Sequence, residues 1–82
     1  MYNYQQEKQN IFTENGQVMF MKIRDKVNSL LKEKKYFIME EVLGCEGSAW
    51  EIMACVDRLK ELREITEISG SGAMGQHRAF MR

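Results

Sequence analysis

The amino-acid sequence predicts an α+β domain in which three helices form the core and a β-hairpin closes the chain. Two observations indicate this class. Apolar residues recur at helical spacing over residues 17–35 and again over residues 49–63. Residues 64–82 then combine β-branched segments with a glycine-rich loop, which is the pattern of a hairpin. We expect residues 16–82 to form this domain and residues 1–15 to form a polar N-terminal arm.

The arm is rich in glutamine and asparagine and carries a few aromatic and apolar residues. This composition is consistent with a frayed tail whose end docks through Ile11 and Phe12, or with a short extra helix. Both interpretations stay open at the level of the sequence.

The first predicted helix, residues 17–35, has one apolar arc and a basic remainder. Val18 and Met21 lie off that arc and are either ordinary exposed side chains or contacts to the arm or to a second subunit. The predicted arc consists of Met19, Phe20, Ile23, Val27, Leu30 and Leu31.

A short strand and a second, short helix are expected next. Residues 36–38 are aromatic and β-branched, which favours a brief strand. Residues 39–43 have room for about two helical turns at most, and Gly44 is suited to end them. The segment GCEG, residues 44–47, then reads as a tight turn.

The third predicted helix begins at Ser48, a good N-cap residue, and runs to about Arg63. Glu51 stands three residues after Ser48, so the pair fits a reciprocal capping box. One stripe is predicted to face the core, and the opposite side of the helix is predicted to face outward. The stripe consists of Ile52, Cys55, Val56, Leu59 and Leu62, and the outward side includes Trp50, Met53, Ala54, Asp57, Arg58 and Glu61.

This order of elements resembles the winged helix-turn-helix domain over residues 17–82. The resemblance is carried by GCEG as the turn, by DRLKELREITEIS as the passage from helix to wing, and by SGSGAMGQHRAFMR as the wing. Many members have glycine at the junction of helix and strand, where this chain has Arg63 or Glu64. The resemblance implies that the third helix enters the DNA major groove and that the wing contacts phosphate or the minor groove.

The function that the resemblance implies is DNA binding by a small transcription regulator, acting as a dimer. The wing offers donors that have no acidic neighbour in the sequence, and the first helix offers a second basic surface, unless that surface is simply a solvated face. The expected DNA contacts are Ser48, Arg58, Gln76, His77, Arg78 and Arg82, with Lys22, Arg24, Lys26 and Lys35 on the basic surface.

Charge and surface chemistry favour an alternative function. The formal net charge is zero, whereas nucleic-acid binders gain most of their affinity by neutralising phosphate. Residues 17–36 carry six basic against two acidic residues, and residues 37–64 carry three basic against seven acidic ones. Such polarity often marks an interaction surface.

The outward side of the third helix has the composition of a protein interface, an apolar centre with a charged rim. The alternative function is therefore a winged-helix module for protein interaction or oligomerisation. In a competing interpretation, Trp50 folds against Met53 and the preceding turn and is partly buried. The predicted interface residues are Trp50, Met53, Ala54 and Asp57, with Val18 and Met21 as further candidates.

Other classes of function find little support in the sequence. No catalytic Ser-His-Asp or Cys-His set is evident, and GSGAMG lacks the lysine of a phosphate-binding loop. Cys45, Cys55 and His77 do not have zinc-ligand spacing. We therefore expect no enzyme activity, metal, cofactor or small-molecule substrate. We also expect no membrane segment and a cytoplasmic location with reduced thiols.

Overall fold

The computed structural model describes residues 1–45, 47–70 and 72–82. Glu46 of the predicted turn and Ser71 of the predicted wing loop lie outside the described residues. The α+β class is confirmed, because helices and an antiparallel sheet both occur. The elements are α1 (Tyr4–Ile11), α2 (Glu14–Lys34), β1 (Tyr36–Ile38), α3 (Met39–Val42), α4 (Ala49–Glu61), β2 (Thr66–Glu67), a 3-10 helix (Gly75–His77) and β3 (Ala79–Met81).

The three strands form one antiparallel sheet in the order β1-β3-β2. Phe37 lies opposite Phe80, and Glu67 lies opposite Phe80 on the other side of β3. Both phenylalanines are fully buried, and their ring centroids are 5.2 Å apart. The predicted hairpin is confirmed by the pairing of β2 with β3. The brief strand predicted at residues 36–38 is β1, and its pairing with β3 was not indicated by the sequence.

The predicted first helix corresponds to α2, and its apolar arc packs into the core as expected. The N-cap residue of α2 is Thr13, whose Oγ1 accepts a hydrogen bond from the Gly16 N–H at 3.0 Å. The C-cap residue is Lys35, which has a left-handed backbone conformation with φ of 71°. The buried members of the arc are Phe20, Ile23, Val27, Leu30 and Leu31, and Met19 is partly buried.

The predicted third helix corresponds to α4, with two corrections. Ser48 is the N-cap residue, but its side chain makes no capping hydrogen bond, so the predicted box with Glu51 is wrong. The Glu51 side chain instead lines a cleft beside α1. Leu62 is 43% exposed because the helix ends at Glu61, one residue before it, whereas the rest of the predicted stripe is buried.

The chain leaves α4 through a Schellman motif built without glycine. Arg63 has φ of 62°, the left-handed conformation that glycine usually supplies at this position. Its N–H donates to the Lys60 carbonyl at 3.0 Å, and the Glu64 N–H donates to the Leu59 carbonyl at 3.0 Å. The junction therefore has the geometry expected of a glycine-containing turn, with an arginine in the strained position.

The N-terminal arm is helical from Tyr4 to Ile11, which corresponds to the extra-helix interpretation. Asn3 caps α1 by accepting from the Gln6 N–H at 3.3 Å, and Ile11 is the buried residue of the helix. The helix packs against α4 and against α2. Among the helices of the described residues, none combines the length and apolarity needed to cross a lipid bilayer.

Candidate interaction surfaces

The outer face of α4 is covered by α1. We use "outer face" for Ala54, Asp57 and Glu61, which recur on the side of α4 opposite Ile52 and Leu59. Ala54 is 1% exposed and Asp57 is 9% exposed. The prediction of an outward position is wrong for Ala54 and Asp57, because the N-terminal residues pack over them, whereas Glu61 is exposed as expected.

Polar contacts join α1 to this outer face. The Tyr2 hydroxyl donates to Asp57 Oδ2 at 2.6 Å, and the Tyr4 hydroxyl donates to Glu61 Oε1 at 2.8 Å. Lys8 Nζ donates to Glu61 Oε2 at 2.9 Å. These bonds connect residues more than fifty positions apart in the sequence. The acidic side chains that would repel DNA phosphates therefore serve as acceptors within the molecule.

The contacts shift the pKa values of the groups that make them. Hydrogen bonds from Lys8, Arg58 and Tyr4 lower the pKa of Glu61 to about 2. Burial, and then the hydrogen bond to Asp57, raises the pKa of the Tyr2 hydroxyl, and Tyr4 is raised in the same way by burial and by Glu61. At neutral pH the tyrosines are therefore donors and the Glu61 carboxylate is an acceptor.

Arg78 is held by two carboxylates. Its guanidinium contacts both oxygens of Asp57, with the Nη2–Oδ1 distance at 2.7 Å and the Nη1–Oδ2 distance at 3.2 Å. It also contacts Glu67, with Nη2–Oε1 at 2.9 Å and Nε–Oε2 at 3.1 Å. Its side chain is 14% exposed. The expectation that the wing donors lack acidic neighbours is wrong for Arg78, because tertiary contacts supply two.

These contacts also shift two pKa values at the wing. Hydrogen bonds from Arg78 lower the pKa of Glu67 to about 2. Hydrogen bonds to Glu67 and Asp57 raise the pKa of Arg78. Both charges are therefore engaged within the molecule over the physiological pH range.

Two of the remaining predicted DNA contacts, Arg58 and Arg24, are ion-paired within the molecule. Arg58 donates to Glu61 at 2.7 Å and lies over the Phe12 ring, 5.2 Å from its centroid. Arg24 donates to Glu64 at 3.0 Å. The others are exposed: Ser48 at the start of α4, Gln76 and His77 on the 3-10 helix, and Lys22, Lys26 and Lys35 on or beside α2. Arg82 also lies beside α2, because it follows Met81, the strand partner of Tyr36, and its Nη2 donates to Asn28 Oδ1 at 3.4 Å.

The predicted apolar centre around Trp50 is also absent among the described residues as an exposed patch. Trp50 is 43% exposed, whereas Met53 is 8% exposed and Ala54 is buried under α1. Val18 and Met21 are 55% and 50% exposed, which corresponds to their position off the apolar arc. Trp50 is therefore a partly exposed side chain at the edge of a covered helix.

The sheet presents an apolar side that the sequence analysis missed. Because Phe37 and Phe80 point into the core, their neighbours along the strands point away from it. The Ile68 N–H donates to the Ala79 carbonyl at 2.8 Å and continues the pairing beyond β2. We call this surface the open sheet face, and its residues are Tyr36, Ile38, Thr66, Ile68, Ala79 and Met81.

The open sheet face is uncharged and substantially exposed. Tyr36 and Ile68 are each 49% exposed and Met81 is 43% exposed. Lys34 lies at its margin, with Nζ 5.6 Å from the centroid of the Tyr36 ring, and pairs with Glu41. Alternation in the sequence places Ala79 and Met81 on the same side of a strand. It does not show which side faces outward, and the burial of Phe37 and Phe80 in the structure decides this.

A cleft of about 280 Å³ lies between α1, the start of α2 and α4. Its lining includes Ile11, Ala54 and Cys55, with Glu7 and Glu51 among the polar residues. Burial raises the pKa of the Cys55 thiol to about 11, so this thiol stays protonated and is a poor nucleophile.

No family model, no curated protein and no solved structure matches this chain. Within residues 1–45, 47–70 and 72–82, no group of three or more His, Cys, Asp or Glu side chains is arranged to hold a metal ion.

Proposed function

We propose that the chain is a winged-helix module that associates with protein through its open sheet face. The observation that carries this proposal is the uncharged, half-exposed patch formed by Tyr36, Ile68 and Met81 on neighbouring strands. Aromatic and methionine side chains at the centre of an exposed apolar patch are typical of protein interfaces. The winged-helix assignment is supported by the order of α2 to β3 and by the strand order β1-β3-β2.

The partner that we propose is a second copy of this chain. The six side chains of the open sheet face carry no charge, so two such faces meet without electrostatic repulsion. The net charge of zero removes long-range repulsion between copies, and Lys34 with Glu41 supplies both signs at the margin. The face is small, so the dimer should be weak and exchange rapidly.

Sedimentation equilibrium over a wide concentration range tests this proposal. We expect a reversible monomer–dimer equilibrium that Met81→Glu abolishes, because a charge at the centre of the interface would be buried without a partner. Met74→Glu is the matched control, since Met74 is 72% exposed outside the open sheet face. A wild-type chain that stays monomeric at every concentration, or a Met81→Glu variant that still dimerises, would contradict the proposal.

DNA binding remains the competing function, and a titration decides between the two. Ala54 and Asp57, on the outer face of α4, are buried, and Arg78 is paired with Asp57 and Glu67. We therefore expect no salt-dependent affinity for duplex DNA at low ionic strength. Binding that weakens steeply with salt and is lost in a Lys22→Glu, Lys26→Glu double variant would instead establish DNA binding through α2.

A further inference from the structure

The connection between α1 and α2 is short and sharply bent. Only Phe12 and Thr13 separate the two helices. Thr13 caps α2 and its hydroxyl also donates to the Asn10 carbonyl at 2.8 Å, so the bend is held by local hydrogen bonds. If the two capping residues became helical, α1 and α2 would form one continuous helix and α1 would leave α4.

The outer face of α4 is complementary to the segment that covers it. Asp57 accepts from Tyr2, and Glu61 accepts from Tyr4 and Lys8. Ile11 provides the buried apolar contact of α1. Every copy of the chain carries the same α1 segment. The α1 of a second copy can therefore make the same contacts with the outer face of α4.

The bent connection requires glycine at position 16. A Cβ atom at this position would collide with the backbone oxygen of Asn10 in the bent arrangement. In one continuous helix, residues 10 and 16 lie more than one turn apart and this collision does not arise. Alanine is also the better helix former, so Gly16→Ala disfavours the bent form and favours the continuous one.

We infer that α1 is an exchangeable segment, and that the outer face of α4 is a docking site for α1 of a second copy of this chain. The bent form places α1 on its own α4, and the continuous form places it on the α4 of a partner. Such exchange of an identical element is a low-cost route to a dimer, because it reuses contacts already present in the monomer. This dimer is independent of the open sheet face.

The first test compares Gly16→Ala with its parent in the Met81→Glu background, where association through the open sheet face is removed. We expect the dimer fraction after refolding at high protein concentration to rise at least tenfold, with slow exchange between monomer and dimer. Gly44→Ala is the control, because a Cβ at Gly44 would meet no atom within 4 Å. A Gly16→Ala chain that folds as a monomer would overturn the inference.

A second test does not use Gly16→Ala and therefore applies even if that variant folds poorly. Lys8→Glu and Glu61→Lys each place like charges together when α1 docks on its own chain. After joint unfolding and refolding in the Met81→Glu background, exchange between the two variants restores opposite charges at both docking sites. With one of the two variants labelled with ¹⁵N, native mass spectrometry should then show the mixed dimer enriched several-fold over either homodimer. A statistical distribution, or no dimer in the mixture, would overturn the inference.

Discussion

At the scale of single residues, Arg78 forms ion pairs with two partly buried carboxylates, those of Asp57 and Glu67. Asp57 is 9% exposed and receives two of its hydrogen bonds from this guanidinium. Arg78→Ala leaves that carboxylate without its cation, and we expect the free energy of unfolding to fall by about 3–5 kcal/mol. Urea denaturation measures the loss.

Arg78→Lys is the matched control for this prediction. Lysine keeps the positive charge but cannot reproduce the planar contacts with both carboxylates, so it should lose less stability than alanine does. A loss below about 1 kcal/mol in Arg78→Ala would mean that water replaces the arginine at little cost.

Glu67 makes stability depend on pH in the acid range. Its pKa falls from an ordinary 4.5 to about 2 in the folded protein. Between these values the unfolded chain binds more protons than the folded one, so stability decreases as the pH is lowered. This contribution to stability is complete above about pH 4.5 and is lost as the pH falls towards 2.

Acid titration of the free energy of unfolding measures this dependence. Glu67→Gln should remove part of the slope below pH 4.5 while leaving the slope from other carboxylates. An identical slope in the variant would contradict the assignment of this dependence to Glu67.

Arg63 occupies a backbone conformation that favours glycine. Its φ of 62° is costly for a residue with a Cβ atom, so Arg63→Gly should stabilise the protein by about 0.5–1 kcal/mol. The melting temperature should rise by about 3–6 °C. Ser29→Gly, at an exposed position inside α2, should lower stability instead. A lower melting temperature for Arg63→Gly would show that its side chain makes a compensating contact.

At the scale of the elements, α1 depends on its contacts with the rest of the domain. It has eight residues, which is too short for a stable isolated helix in water. Ile11→Ala should therefore cost about 2–4 kcal/mol and release α1 as a unit. Hydrogen exchange should show lost protection in α1 and retained protection in α2. Uniform loss in both helices would mean that α1 unfolds only with the whole domain.

The periodicity of apolar residues in the sequence predicted the elements that pack through apolar side chains. The arc of α2, the buried stripe of α4 and the hairpin strands all repeat with the spacing of their secondary structure. The covering of α4 by α1 depends instead on hydrogen bonds such as those from Tyr2 and Tyr4, which leave no periodic pattern. The partners of Arg78 were missed for the same reason, since Asp57 lies 21 positions away.

At the scale of the whole molecule, we expect the monomer–dimer equilibrium to depend on the open sheet face and not on Trp50. Trp50 stands apart from the open sheet face, at the beginning of α4, and its predicted apolar neighbours are buried. Trp50→Ala should therefore leave the monomer–dimer equilibrium unchanged in sedimentation, whereas Tyr36→Ser should weaken it. Loss of the dimer in Trp50→Ala would contradict this expectation and would place the interface at the start of α4, around Trp50.

The contact between Tyr2 and Asp57 has a consequence for the order of events during folding. It joins residues 55 positions apart, and such long loops close late. The contacts of α2 with β1 and of α3 with β1 span much shorter stretches and can form first. We therefore expect the N-terminal helix to arrive last, which leaves a brief interval in which α4 is formed but bare. During that interval, protein concentration decides which chain supplies the helix.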